Sequence, residues 1–209
     1  MQPFLWLTKR MDNLFSLLVG IAVFGFVTSV TPGPNNTYLL TSGMNVGVGK
    51  SLSYINGIMA GLTLMFSSMY LGIGTLFDIY PDLQNWLKYI GFAYILYMAY
   101  GIISSTFAGT HAEVRIVGFF RATAFQLINP KAWIVVMTVV AAFIPENADF
   151  FQAATLLAVF LVATYPGAVI WAVFGEVMSG LLSKPSLRRI FNVSAAILLV
   201  ISMVPVLFL

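Results

Sequence analysis

Two short polar stretches interrupt otherwise apolar sequence, and both carry residue types that expose backbone. They are Thr31-Pro32-Gly33-Pro34-Asn35-Asn36 and Gln126-Leu127-Ile128-Asn129-Pro130-Lys131. A proline inside a helix removes one N–H donor and clashes with the carbonyl four residues back, so two prolines around a glycine should unwind about a turn. Within hydrocarbon, the freed groups are tolerated only where protein buries them or where they line a watery cavity. A half-helix starting near Asn35 would turn the positive end of its dipole into that cavity, which suits a carboxylate. Asn35, Asn36, Gln126 and Asn129 add neutral donors and acceptors, and unwound carbonyls would take an ammonium. A small zwitterion fits this inventory. Proline and glycine also kink packed helices with no ligand at all. Two breaks at corresponding places in the two halves of the chain favour a lined path.

Other positions are weaker candidates. Asn56 would face the cavity or cap a neighbouring backbone, and Tyr165, beside Pro166-Gly167, is a candidate wall residue. Lys131 is the deepest ionisable group, and Glu176 closes the fifth apolar run. Intramembrane ionisable groups are functional candidates by default, so either would carry a coupled proton. A plain ion pair of Glu176 with Lys131, Arg121 or Lys184 is the alternative. Tyr94, Tyr97 and Tyr100 share a helical face that packs or touches substrate. Gly43 with Gly47, and Gly57 with Gly61, are spaced for close helix contact. The run Gly43 to Ser51 imitates a phosphate-binding loop, but its first glycine is one position early and no strand precedes it. It reads as a glycine-rich cytoplasmic turn.

The elements that must hold these residues are membrane helices. Of 209 residues, 60% are apolar or aromatic and only 8% are charged, against about a quarter charged in an ordinary soluble domain. Most charge-free runs reach or exceed the roughly 20 residues a spanning helix needs; the fourth, Ala132 to Pro145, does not, and must recruit the stretch before it, with Gln126, Asn129, Pro130 and Lys131. The runs divide the chain into six segments, about 14–42, 54–77, 83–104, 117–144, 150–175 and 190–208. The expected fold is an all-α membrane protein of six transmembrane helices, one domain over 1–209, built as two inverted three-helix repeats. Repeat one covers about 13–104, a cytoplasmic loop about 105–116, and repeat two about 117–209, with the first and fourth helices broken at the Pro motifs. Lys50, Arg115, Arg121, Lys184, Arg188 and Arg189 fall on one side. The excess of Lys and Arg marks that side as cytoplasmic and places both termini outside, against the pull of Lys9 and Arg10. Helix starts are too loosely defined to decide whether the two breaks face each other.

Taken in order, Thr31-Pro32-Gly33-Pro34-Asn35-Asn36, then Gly43, Gly47, Lys50-Ser51, Gly57 and Gly61 resemble the opening of the LysE/RhtB family of amino-acid exporters. Gly91-Phe92-Ala93-Tyr94-Ile95-Leu96-Tyr97 resembles that family's third-helix motif, and Phe125-Gln126-Leu127-Ile128-Asn129-Pro130-Lys131-Ala132-Trp133 its fourth. The resemblance covers nearly the whole chain. It implies efflux of an amino acid or a close derivative across a bacterial cytoplasmic membrane, driven by the proton gradient. It does not select the amino acid.

Competing classes fit less well. An enzyme would need a nucleophile with its base or a metal set, whereas the chain has no Cys and one His, His111. No catalytic residue, metal site or cofactor is expected. Basic residues sit singly or in pairs in loops, so nucleic acid is not an expected partner. A channel would favour rings repeated by symmetry, and an assembly subunit would need no polar breaks. The expected partners are a zwitterionic substrate and the lipid bilayer. The sequence does not decide between a monomer and a homodimer.

Overall fold

In the computed structural model the described residues are 2–73, 79–80, 82, 86, 89–90, 92–93, 95–97, 99–100, 103, 117–145, 148–181 and 185–207. Among them the fold is helical, with no strand. The elements are α1 (Gln2–Val30), α2 (Pro34–Ser68) with a π-helical turn at Met69–Ile73, α3 (Phe119–Ile128), α4 (Pro130–Phe143), α5 (Phe150–Leu181) and α6 (Pro185–Leu207). The described positions from 82 to 103 are also helical. Pro34–Gly72 and Phe150–Ser179 are each long and apolar enough to cross a membrane, and α3 with α4 forms a pair bent by 74°. The protein is a helical membrane protein.

Both Pro motifs break helices. Thr31, Pro32 and Gly33 separate α1 from α2, and the single residue Asn129 separates α3 from α4. Elsewhere the structure corrects the sequence reading. The expected glycine-rich turn at Gly43 to Ser51 is helical except at Gly47, whose φ of 82° and ψ of 170° lie outside helical geometry. One glycine in that region redirects the chain, because nothing but glycine enters it without strain. Gly47 is therefore a hinge between a half-helix, 34–46, and the rest of α2. Tyr165-Pro166-Gly167 does not interrupt its span, since α5 runs unbroken through Pro166. That site offers neither a second proline nor a capping Asn to start a new helix, so only one N–H is lost. Helices also outrun the charge-free segments, with α1 starting at Gln2, α5 ending at Leu181 and α6 starting at Pro185. Charged residues end an apolar run without ending a helix, because Lys, Arg and Glu are good helix formers.

α5 is the spine of the packing. Leu156, Phe160, Ala168 and Ala172 are buried with Ile21 of α1, Leu39, Ile55 and Ile58 of α2, and Val136 and Val139 of α4. The half-helix 34–46 meets α5 backbone to backbone. A Cβ on Gly43 would strike Ala172 O, and one on Gly175 would strike Leu40 O. The rest of α2 presses on α3 the same way, Gly57 against Phe119 O and Gly61 against the Gln126 side chain. Small residues permit such approach between membrane helices, and here they press α3 against α2. Ile95 and Ala99 pack with Ala196 of α6 and Ile134 of α4. The expected loop about 105–116 with His111 lies outside the described residues, as do Tyr94 and Lys184. Tyr97 and Tyr100 are exposed.

Candidate functional site

At the first break, α1 ends at Val30 and α2 starts with Pro34 in its first turn, with no side chain capping it. Thr37 N donates to Gly33 O at 2.9 Å. Asn36 Nδ2 donates to Ser29 O at 2.7 Å and to Thr31 O at 2.6 Å. Asn36 thereby holds the end of α1 to the start of α2. The uncapped end of the half-helix, at Asn35 and Asn36, carries the positive pole of its dipole.

At the second break, Asn129 Oδ1 accepts from Lys131 N at 3.2 Å and caps α4, whose first residue is Pro130. An N-cap Asn before an N1 Pro is a strong helix start, which is why one residue suffices for a 74° bend. The carbonyls that Pro130 strands find other donors. Asn129 N reaches Gln126 O at 3.1 Å, and Trp133 Nε1 reaches Leu127 O at 2.8 Å.

The two breaks meet. Asn35 Nδ2 donates to Gln126 Oε1 at 2.9 Å, and Gln126 Nε2 returns a bond to Asn35 Oδ1 at 3.2 Å. Asn35 Oδ1 also accepts from Tyr54 OH at 3.1 Å, and Gln126 Nε2 also donates to Ala122 O at 3.0 Å. Lys131 Nζ crosses from the second break to the first, where it donates to Thr31 O at 2.9 Å, Thr31 Oγ1 at 3.0 Å and Pro32 O at 3.0 Å. Thr31 O and Pro32 O are the unwound carbonyls expected to meet a substrate's ammonium. In the structure the chain's own ammonium holds them.

Between the breaks lies a cavity with about 60 Å³ open to the centre of a water-sized sphere, several times the roughly 10–15 Å³ that one water needs. Gly33, Pro34, Asn35, Asn36, Asn129 and Lys131 line it, together with Thr28, Ser29 and Thr164. Ile58, Met59, Leu62, Val135 and Phe160 form its apolar wall. Among the described residues the lining holds one cation and no carboxylate. Of the expected site residues, Pro32, Gln126 and Pro130 stand behind this surface as parts of the breaks. Asn56 and Tyr165 lie outside the lining and bond each other, Tyr165 OH to Asn56 Oδ1, at 3.2 Å. Glu176 is elsewhere. Its Oε2 accepts from Val48 N at 2.7 Å beside the Gly47 hinge, roughly 20 Å along the half-helix from Asn35 at ~1.5 Å per residue.

Sequence reasoning passed over Tyr54, Thr28, Ser29, Thr164 and the apolar wall. Short hydroxyls within apolar runs usually bond their own helix, as Thr28 Oγ1 does with Phe24 O at 2.8 Å, and nothing in their spacing marks a cavity. A family model for the LysE type translocator matches residues 26–207, both breaks included. The chain belongs to that family. It is 29% identical over 167 residues to the cysteine/O-acetylserine efflux protein of Salmonella typhimurium (strain LT2), covering 77% of this chain and 83% of that protein. The protein of the same description from Escherichia coli (strain K12) is 27% identical over 190 residues, covering 88% of this chain and 94% of its own length. No solved structure matches. A LysE type translocator is a membrane transporter, so the cavity between its broken helices is its candidate substrate site.

Proposed function

We propose that this translocator exports a small amino acid, or amino-acid derivative, with an uncharged side chain across the bacterial cytoplasmic membrane, driven by the proton gradient. One observation carries the reading. The N-terminal ends of two broken helices open on one cavity whose described lining holds Lys131 and no carboxylate. The dipole ends of α2 and α4 and the Lys131 charge favour a substrate carboxylate there. A second positive charge on the substrate's side chain would find no partner among the lining residues, and the apolar wall suits a neutral one. The names of the Salmonella and Escherichia relatives, which pair cysteine with O-acetylserine, agree in size and charge.

The same reading supplies the architecture. The apolar part of α1, Leu14–Val30, is at the short end of the roughly 17–25 residues that a spanning helix takes. Joined to the half-helix 34–46 across the first break, it makes one broken span, as α3 and α4 make another. With 48–73, the segment 82–103, α5 and α6, the count is six, arranged as two inverted repeats with both termini outside. Alternating access would then rock these halves about the site. Gly47 is a natural hinge, and protonation of Glu176 would weaken its bond to Val48 N and so couple a proton to that hinge.

The test is export from proteoliposomes loaded with a mixture of isotopically labelled amino acids, under an imposed pH gradient, with mass spectrometry of what leaves. Gradient-dependent loss of one or a few neutral amino acids, abolished in Asn35→Ala or Asn129→Ala with membrane insertion intact, is expected. Loss of no amino acid from folded protein would move the substrate to another class of solute, and normal export by both variants would remove the site.

A further inference from the structure

The three oxygens around Lys131 Nζ form a subsite in their own right. Thr31 O, Thr31 Oγ1 and Pro32 O stand at 2.9, 3.0 and 3.0 Å from one nitrogen. A primary ammonium has three N–H donors and no acceptor, so acceptors match donors one for one. The hydroxyl spends its own proton on Thr28 O, at 2.7 Å, which leaves its lone pairs for the cation. Thr28 and Gly33, on either side of the cradle, line the cavity. Gly33 has no side chain to block the reach across, since a Cβ there would lie 2.9 Å from Lys131 Cδ and Nζ. The cradle belongs entirely to the first break, while its occupant is tethered to the second.

We propose that this cradle is the ammonium subsite of the transported molecule and that Lys131 is its tethered occupant in the empty carrier, displaced when a zwitterion binds. The inference rests on the reading of the cavity as an amino-acid site. Two ammonium groups cannot share three oxygens, since each needs those acceptors and the two like charges repel. An amino acid can expel Lys131 because it brings its own carboxylate, one carbon away, for the displaced lysine to pair with. A ligand with an amine and no carboxylate would strand the lysine charge, and a carboxylate without an amine would leave the strap in place. The strap between the two breaks is thus released only by a molecule carrying both charges. That makes Lys131 a specificity-determining residue for zwitterions and links binding to freeing one break from the other.

The test measures equilibrium binding of cysteine, cysteamine (no carboxylate) and 3-mercaptopropanoate (no amine) to the full chain in lipid nanodiscs, by calorimetry under reducing conditions. In Lys131→Met the cradle is vacant. Cysteamine should bind it on the order of tenfold more tightly than it binds wild type, because no resident competitor reduces the competent fraction. 3-Mercaptopropanoate should bind the variant more weakly. Cysteamine binding that is unchanged or weaker in the variant overturns the proposal. If Lys131→Met fails to fold, Lys131→Gln decides, because its amide carries no charge to compete for the cradle. Cysteamine should still bind it several-fold more tightly than it binds wild type, and unchanged or weaker cysteamine binding overturns the proposal. Failure of wild type to bind cysteine counts against the amino-acid reading. The ratio of cysteamine affinities still reports on the cradle by itself.

Discussion

The reciprocal bond between Asn35 and Gln126 is the residue-scale contact on which the site depends. Gln126 is fully buried and spans ninety-one positions to reach its partner. Removing either amide leaves the other with only its remaining bond, from Tyr54 OH to Asn35 Oδ1 or from Gln126 Nε2 to Ala122 O, so the two losses should not add. In a double-mutant cycle of Asn35→Ala and Gln126→Ala, thermal unfolding of purified protein should show about 1 kcal/mol of coupling, within the range of interhelical bonds in membranes. Strict additivity would mean that the pair does not hold the breaks together. Both residues were legible in the sequence, because each is an amide within a turn of a proline in an otherwise apolar run. Their pairing was not. Helix starts uncertain by a turn shift depth by about 5 Å, which is enough to move one break past the other. Nor was the partner of Lys131 legible, since polarity alone shows that a cation needs acceptors and does not say which break provides them.

At the scale of the element, the informative residues are glycines whose roles the sequence could not separate. Gly43, Gly47 and Gly49 look equivalent in a glycine-rich run and are not. Gly43 has no room for a Cβ against Ala172 O, Gly47 has φ +82, and around Gly49 nothing lies within 4 Å. Gly49→Ala should therefore be neutral or slightly stabilising, given the helix propensity of alanine. Gly47→Ala should cost about 1–3 kcal/mol through backbone strain, and Gly43→Leu should prevent the half-helix from seating on α5. Thermal denaturation of the three purified variants would rank them, and a ranking with Gly49→Ala as the worst would contradict the structure. The hinge has a further consequence through Glu176. Glutamine at this position keeps an oxygen for Val48 N but cannot take a proton. Glu176→Gln should retain downhill exchange at equal pH and lose export driven by a pH gradient. Undiminished gradient-driven export would reduce Glu176 to a helix cap.

At the scale of the molecule, what composition made plain was the solvent. Few charges and long apolar runs require a bilayer, and the helical structure follows because only internal hydrogen bonding satisfies backbone there. The order of spans and their direction depend on weaker quantities, a handful of Lys and Arg residues on each side. The chain offers a clean way to read them. It contains no cysteine, so any cysteine introduced is the only thiol. Lys50 and Asp149 are exposed, Lys50 near the start of the stretch 48–73 and Asp149 just before α5. In intact cells, a membrane-impermeant maleimide should label Asp149→Cys and not Lys50→Cys, and permeabilisation should make the second accessible. The reverse pattern would turn the molecule over and direct its transport inward. Labelling of both from outside would mean that an even number of crossings separates 50 from 149. In that event the two breaks could not belong to inverted halves, and the convergence of their helix ends on one cavity would need an origin other than repeat symmetry.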